Sequence, residues 1–109
     1  MFGFFKSQKV QELNCAAALE QARRKEVHLV DVRERGEWEQ GHVAGCLSAP
    51  LSGLDVSQLP TDRPLVFLCL SGRRSASAAR QALAQGLRCS NVAGGLTAWR
   101  SAGLPMRIA

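Results

Sequence analysis

The sequence predicts an α/β fold, a three-layer α/β/α sandwich around a central, mostly parallel sheet of about five strands. Two observations support this prediction. Short apolar segments alternate with helical segments along the 109 residues, an order typical of parallel sheets that helices cover on both faces. The run at 65–70, LVFLCL, is apolar throughout, as expected for a central strand that is buried on both faces.

The first half of the chain supplies helices and strands in alternation. Asn14 is a suitable N-cap for a helix through CAAALEQARRK, whose basic end suits a helix C-terminus. The segment HLVDVR, from His28 to Arg33, is short and β-branched and predicts a buried strand. We expect a short polar helix or helical turn over 34–41 and a weak strand over 43–49, closed by Pro50.

The second half repeats the pattern. Irregular structure at 51–59 precedes the central strand at 65–70. A helix from Ser75 to Gln85 follows and ends at Gly86. A short strand at 90–92 then leads through a Gly-Gly pair into a last helix over LTAWRSA. Ligands of parallel α/β sheets bind at the carboxyl ends of the strands, and Cys69 lies at one of those ends.

We expect a single domain over residues 10–109, preceded by a short N-terminal tail, residues 1–9. The tail contains Phe2, Phe4 and Phe5, which either pack against the domain, stay disordered, or dock on a partner or a membrane surface. Its apolar run is too short for a secretory leader, and no membrane span is predicted. We therefore expect a cytoplasmic protein whose single cysteines stay reduced.

The charge balance indicates an anionic partner of small size. Lys and Arg number 14 against 9 Asp and Glu, a net charge of +5. No basic run is interleaved with aromatic residues, so we do not expect nucleic acid. The four cysteines form no CxxC pair and no zinc-like cluster with histidine. We expect no metal, and no nucleotide or flavin motif suggests another cofactor.

The stretch CLSGRRS, from Cys69 to Ser75, has the composition of a site for a sulfur anion. A thiol is nucleophilic as thiolate, and the ordinary cysteine pKa of about 8.5 leaves little thiolate at neutral pH. The following helix N-terminus, the flexible backbone of Gly72 and the charges of Arg73 and Arg74 all favour the anion. The simpler interpretation, a small buried side chain, fits Cys15 and Cys89 better than Cys69.

The loop Cys69-x-x-Gly72-x-Arg74-Ser75 resembles the active-site loop of single-domain rhodaneses, the thiosulfate sulfurtransferases. DVR at 31–33, EW at 37–38 and GHVAG at 41–45 resemble the amino-terminal signature of that family. Gly-Gly at 94–95, with Trp99, Gly103 and Pro105, resembles its carboxy-terminal signature. The resemblance covers all but about the first ten residues. The family more often has Ala where Cys46 stands and Asn where Ser48 stands.

This resemblance implies that Cys69 attacks a sulfane donor such as thiosulfate, releases sulfite and carries the sulfur as a persulfide. Cyanide in an assay, or a thiol or a sulfur-accepting protein in the cell, then removes it.

The implied binding residues form the rest of the loop: Leu70, Ser71, Gly72, Arg73, Arg74 and Ser75. Arg73 is expected to point outward and attract the donor. Arg74 is expected to pair with Asp31 or Glu37, and His42 belongs to the framework instead of acting as a base.

Three alternatives remain open at this point. A phosphatase or arsenate reductase of the same fold would use a Cys-x5-Arg loop, whereas four residues separate Cys69 from Arg74. A non-catalytic interaction module would often lack the cysteine. A redox protein would pair Cys69 with Cys46, although Cys46 is equally explained as a small buried side chain.

Overall fold

Five short strands form one parallel sheet across the middle of the domain. The computed structural model describes residues 9–107. In chain order these residues form β1 (Glu12–Leu13), β2 (His28–Asp31), β3 (Leu47–Ser48), β4 (Leu65–Leu68) and β5 (Cys89–Val92). The strands lie in the order β1-β5-β4-β2-β3, and each neighbouring pair is parallel. The predicted sheet of about five strands is confirmed, and it is parallel throughout.

Residues 9–107 also form four helices: α1 (Cys15–Arg23), α2 (Arg35–Gln40), α3 (Arg73–Ala84) and α4 (Gly95–Ser101), the last of which follows β5. The predicted N-cap of α1 is confirmed, because the side chain of Asn14 accepts hydrogen bonds from the amides of Ala16 and Ala17. The segment predicted to be irregular contains two 3₁₀ turns, Leu51–Gly53 and Val56–Gln58.

Two apolar layers cover the two faces of the sheet, which confirms the three-layer architecture. On one face α1 and α4 pack against alternate strand residues, and Trp99 is fully buried among them. On the other face α3 and the two 3₁₀ turns pack against the remaining strand residues, including Phe67 and Cys69. The small residues Ala78, Ala79 and Ala82 of α3 are fully buried, so this helix lies close to the sheet.

Several boundaries differ from those predicted. β1 was not predicted, because two residues at a sheet edge show no periodicity; Glu12 and Leu13 pair with the last residues of β5. β3 is limited to Leu47–Ser48 instead of extending over 43–49. β4 ends at Leu68, two residues before the predicted end. The α3 helix begins at Arg73 and not at Ser75, a difference that changes the geometry of the loop discussed below.

The strand register places the carboxyl ends of the central strands beside one another. Asp31 of β2 is paired with Leu68 of β4, and Phe67 of β4 with Asn91 of β5. The residues that follow these ends therefore meet at one edge of the sheet, as expected for parallel α/β folds. Cys69 is the first residue beyond β4, and it lies at the middle of this edge.

The predicted tail, residues 1–9, lies outside the described residues except for Lys9, and its three phenylalanines are all outside them. Among the residues from 9 to 107, no helix has the length and apolar character needed to cross a membrane.

Candidate active site

The Cys69 thiol is enclosed by hydrogen-bond donors from its own loop. The amide of Gly72 donates to Sγ at 3.1 Å, the amide of Ser75 at 3.3 Å, and the hydroxyl of Ser75 at 3.2 Å. Burial raises the pKa of this thiol, but the hydrogen bonds, chiefly those from Ser75 and Gly72, outweigh it, and the pKa is lowered from its ordinary value. The loop therefore favours a sulfur anion.

Cys69 Sγ occupies the place of a capping group at the start of α3. Ser75 is the third residue of this helix, so its amide has no partner within the helix. The sulfur accepts from that amide. The first turn of α3 contains Arg73 and Arg74 and no acidic residue, although the helix dipole favours negative charge there. The Cys69 thiolate supplies the negative charge that this helix end favours.

Gly72 shapes the loop and is held from the side by β5. Its φ of 97° lies in the left-handed region, which lets the chain turn directly into α3. The Gly72 carbonyl accepts a hydrogen bond from Asn91 Nδ2 at 3.0 Å. Asn91 is 2% exposed, and its Nδ2 also lies 3.2 Å from both carboxylate oxygens of Glu12. A chain of contacts thus fixes the loop relative to the strand ends.

The start of α4 supports the loop from a second side. The amide of Leu96 donates to the Cys69 carbonyl at 2.8 Å, and the amide of Thr97 donates to the Leu70 carbonyl at 3.0 Å. Gly95 makes this approach feasible, since a Cβ there would lie 2.5 Å from each of these two carbonyl oxygens. No sequence motif had indicated a role for Asn91 or Thr97. The Gly-Gly pair at 94–95 was the signal that backbone approaches closely at this point.

Arg74 is paired with Glu37, one of the two partners expected for it. Its Nη1 and Nη2 donate to the Glu37 carboxylate at 2.6 and 2.9 Å. The hydrogen bonds from Arg74 lower the pKa of Glu37 to about 2. Glu37 also accepts from the Glu34 amide in the capping box of α2. This pair therefore joins the first turn of α3 to the first turn of α2.

Asp31, the other partner considered for Arg74, is occupied elsewhere. Its carboxylate is fully buried and accepts from Nε and Nη2 of Arg33, at distances of 2.8 to 3.1 Å. Arg33 Nη2 also donates to the Gly41 carbonyl at 2.8 Å. Asp31 and Arg33 thus form a buried structural pair at the end of β2.

Leu70, Ser71 and Arg73, the remaining loop residues, are exposed to solvent. Arg73 is exposed, and none of the ion pairs found within residues 9–107 involves its guanidinium. Ser71 is exposed, and its hydroxyl accepts from the Arg73 amide at 3.4 Å. Leu70 is 40% exposed. Of the six predicted binding residues, Gly72 and Ser75 contact Cys69 Sγ, while the Arg74 guanidinium is engaged by the Glu37 carboxylate.

Cys69 has no exposed surface. In this conformation Sγ therefore offers no surface to an approaching molecule. Large thiol reagents should therefore react slowly with Cys69, whatever its pKa.

The other cysteines lie in different surroundings. Cys46 packs in the layer of α1 and α4, whereas Cys69 packs in the opposite layer with α3. Burial, and secondarily the nearby Asp31 carboxylate, raise the pKa of the Cys46 thiol. Burial also raises the pKa of Cys89. All four cysteines are free thiols, and the separation of Cys46 from Cys69 by the sheet argues against a redox pair.

His42 has the framework contacts predicted for it. Its ring stacks on Trp38 with 3.8 Å between ring centroids, and its Nδ1 lies 3.0 Å from the Trp38 carbonyl oxygen. Its backbone forms an antiparallel bridge with Arg107. His42 therefore joins α2 to the C-terminal segment.

Curated relatives carry names from sulfur transfer. The chain is 38% identical over 84 residues to a sulfurtransferase of Allochromatium vinosum, covering 74% of this chain and 78% of that protein. It is 33% identical over 81 residues to the thiosulfate sulfurtransferase GlpE of Shewanella oneidensis, covering 72% and 80%. An uncharacterised protein of Synechocystis is 42% identical over 91 residues, 80% of this chain, but the match spans only 51% of that relative's length.

Solved structures share the fold. A rhodanese-related protein of Thermoplasma volcanium superposes with a TM-score of 0.76 at 30% identity, covering 91% of this chain and 99% of that one. A Rhodopseudomonas palustris protein of unknown function, described as a possible tyrosine phosphatase, superposes with a TM-score of 0.80 at 31% identity, covering 90% and 85%. The family model for the rhodanese-like domain matches residues 15–102 of this chain. This chain belongs to the rhodanese-like domain family.

Proposed function

We propose that this protein is a sulfurtransferase that moves a sulfane sulfur from thiosulfate, or a similar donor, through a persulfide on Cys69. The observation that carries the proposal is the set of three donors, from Gly72 and Ser75, that converge on Sγ at 3.1 to 3.3 Å. They favour the thiolate that the first chemical step needs. The names of the relatives support the same class of reaction.

In the first step the Cys69 thiolate attacks the outer sulfur of thiosulfate. A new S–S bond forms to Sγ, the S–S bond within thiosulfate breaks, and sulfite leaves with the electron pair. The terminal sulfur of the resulting persulfide carries the negative charge. Amides of the segment from Leu70 to Ser75 are proposed to hold that sulfur. Arg73, exposed beside the loop, is proposed to attract the anionic donor.

In the second step a nucleophile attacks the terminal sulfur and returns Cys69 as a thiolate. Cyanide yields thiocyanate, and a thiolate acceptor yields a new persulfide. The acceptor in the cell is proposed to be a small thiol or a sulfur-accepting protein. Since the first product leaves before the second substrate reacts, steady-state kinetics should follow a ping-pong scheme. Neither step draws on a metal or an organic cofactor.

The cysteine dependence of thiosulfate:cyanide transfer tests the proposal. Cys69→Ser should abolish turnover, because a serine hydroxyl carries no thiolate. Cys15→Ser and Cys89→Ser are the matched controls and should keep most of the activity, since Cys15 packs in the opposite layer and Cys89 Sγ donates to the Ala79 carbonyl within α3. Substantial turnover by Cys69→Ser would refute the mechanism.

A phosphatase is the second candidate, and the description of the R. palustris neighbour favours considering it. The four residues between Cys69 and Arg74 argue against it, because the shorter loop encloses a volume suited to one sulfur atom and not to a phosphoryl group. The wild-type protein should show no Cys69-dependent hydrolysis of an aryl phosphate. Robust hydrolysis that Cys69→Ser removes would reverse the choice between the two enzymes.

We further propose that residues 10–109 form the single catalytic domain and that it acts in the reducing cytosol. Val10 packs against the layer of α3, which supports a domain start near this residue. A reducing compartment keeps Cys69 as the free thiol that the first step requires.

A further inference from the structure

A cavity of about 640 Å³ lies at the end of the sheet opposite the catalytic loop. His28 and Leu29, the first two residues of β2, line it together with the end of α1 and the C-terminal segment at 105–107. Cys69 instead follows the last residue of β4, which runs parallel to β2. The cavity and the candidate active site are therefore separated by the length of the strands.

The floor of this cavity is aliphatic. Val27, Leu29 and Val43 are buried members of the core layer of α1 and α4, and Leu19 and Met106 pack against them. The volume lies within the range of about 300–1,000 Å³ that is typical of small-molecule sites. An apolar group that binds on this floor would be removed from water, which favours binding.

The rim of the cavity is cationic. It carries Arg23, Lys25, Arg63 and Arg107, and no carboxylate is found among its lining residues in the described part of the chain. Of these four, only Arg63 takes part in an ion pair within residues 9–107, a 3.4 Å contact with Asp62.

None of the carboxylates of residues 9–107 forms an ion pair with Arg23, Lys25 or Arg107. Asp62 contacts both Arg63 and His28, the latter at 2.8 Å, so its charge is already shared. The nearby carboxylate of Glu20 pairs with Arg24 and not with a rim residue. An anionic head group placed at the rim would meet the side chains of Arg23, Lys25 and Arg107, which form no ion pair within residues 9–107.

Lys25, directly after the end of α1, adds an ammonium group to the rim. Its φ of 59° lies in the left-handed region, and among the described residues it is the one non-glycine with positive φ. Glycine is the usual residue at such a position directly after a helix. The chain has lysine there instead, at a conformational cost, and this lysine lines the rim of the cavity. The turn that ends α1 holds Lys25 there, since the Lys25 amide donates to the Ala22 carbonyl and the Glu26 amide donates to the Gln21 carbonyl.

We propose that this cavity binds a small apolar carboxylate, with its alkyl chain on the aliphatic floor and its carboxylate at the rim of Arg23, Lys25 and Arg107. The site is separate from sulfur transfer and does not depend on Cys69. Arginine forks and a lysine ammonium are suitable donors for a carboxylate. The aliphatic lining fits a flexible chain.

Calorimetric titration of the full chain with decanoate tests this proposal. Decanoate should bind saturably, and decyltrimethylammonium, with the same chain and the opposite charge, should not. The double variant Arg23→Gln/Lys25→Gln should weaken decanoate binding tenfold or more, since both changed residues are exposed and the fold should be unaffected. Arg100→Gln, an exposed change on α4 outside the cavity, is the matched control and should bind as the wild type does.

Two further measurements locate the ligand. The methyl resonance of Met106 should shift on addition of decanoate, and Ala44→Trp should weaken binding by filling the mouth of the cavity. Cys69→Ser should bind decanoate unchanged, whatever its effect on sulfur transfer. No saturable binding, equal binding of the cationic analogue, or equal loss in Arg100→Gln would each overturn the proposal.

Discussion

The hydroxyl of Ser75 lies 3.2 Å from Cys69 Sγ and donates a hydrogen bond to it, while the amide of the same residue donates a second one. A single residue in the first turn of α3 thus supplies two of the three donors around the thiol. This relationship connects the start of a helix directly to the reactivity of the sulfur, because each bond is stronger when Cys69 is ionised.

Ser75→Ala should therefore raise the pKa of Cys69. The pKa of Cys69 in the wild type should lie below that of a free thiol, and the pKa in Ser75→Ala should lie closer to the free value. At a pH below both of these protein pKa values, the variant should contain about tenfold less thiolate than the wild type. The ultraviolet absorbance of the thiolate, taken as a difference from Cys69→Ser, measures this without requiring a reagent to reach the buried sulfur. Ser77→Ala on the same helix is the control. Identical titration of wild type and Ser75→Ala would contradict the described role of Ser75.

The ion pair of Glu37 and Arg74 should make stability depend on acidic pH. The folded-state pKa of Glu37 is about 2, below its ordinary value of 4.5. The stabilisation is therefore present above pH 4.5 and is lost as the pH falls toward 2. Both side chains are about one third exposed, at 36% and 35%, so we expect only about 1 kcal/mol.

Denaturant unfolding at several pH values measures that contribution. The difference in unfolding free energy between wild type and Glu37→Gln should be largest above pH 4.5 and should close toward pH 2. Glu39→Gln removes a more exposed pair with Arg35 on the same helix and should cost less than about 0.5 kcal/mol. A pH-independent difference for Glu37→Gln would show that the ion pair does not contribute as described.

The two arginines of the loop should have separable effects. Arg73→Ala should raise the KM for thiosulfate several-fold with little change in melting temperature, because its exposed guanidinium acts on the donor and not on the fold. Added salt should reproduce part of that loss in the wild type. Arg74→Ala should lower the melting temperature, since it leaves Glu37 without its partner. The reverse pattern would exchange the two roles.

Gly95→Ala should disrupt the loop by backbone contact. The added Cβ would lie 2.5 Å from the carbonyl oxygens of Cys69 and Leu70, and the φ of Gly95 is also positive. Gly103→Ala is the matched control, because its φ is positive but no atom lies within 4 Å of the new Cβ. We expect about 1 kcal/mol of destabilisation for Gly103→Ala, and about 3 kcal/mol more, or failure to fold, for Gly95→Ala. Equal unfolding free energies for Gly95→Ala and Gly103→Ala would exclude the close contact of Gly95 with the Cys69 and Leu70 carbonyl oxygens.

Helices, strands and caps that depend on residues close together in the chain could be predicted from the sequence. The alternation of apolar and helical segments predicted the layers and the parallel sheet, and the Asn14 cap was visible because its side chain serves its own helix. The start of α3 was placed two residues late, because Ser75 resembles a helix cap. The actual cap position is Gly72 in a left-handed conformation, and the sequence does not show which acceptor the Ser75 amide finds.

Contacts between distant segments were harder to predict. The choice between Asp31 and Glu37 as the partner of Arg74 depends on where α2 lies relative to α3, and only the folded arrangement decides it. The bond from Asn91 to the Gly72 carbonyl joins residues 19 positions apart. β1 was missed because its two residues are defined by pairing with β5 and not by any pattern of their own.

The central claim is that Cys69 carries sulfur as a persulfide. Intact mass spectrometry after incubation with thiosulfate, under non-reducing conditions, tests it most directly. The wild type should gain the mass of one sulfur atom, and cyanide or a thiol reductant should remove it; Cys69→Ser should gain nothing. An unchanged wild-type mass, or the same gain in Cys69→Ser, would contradict the account.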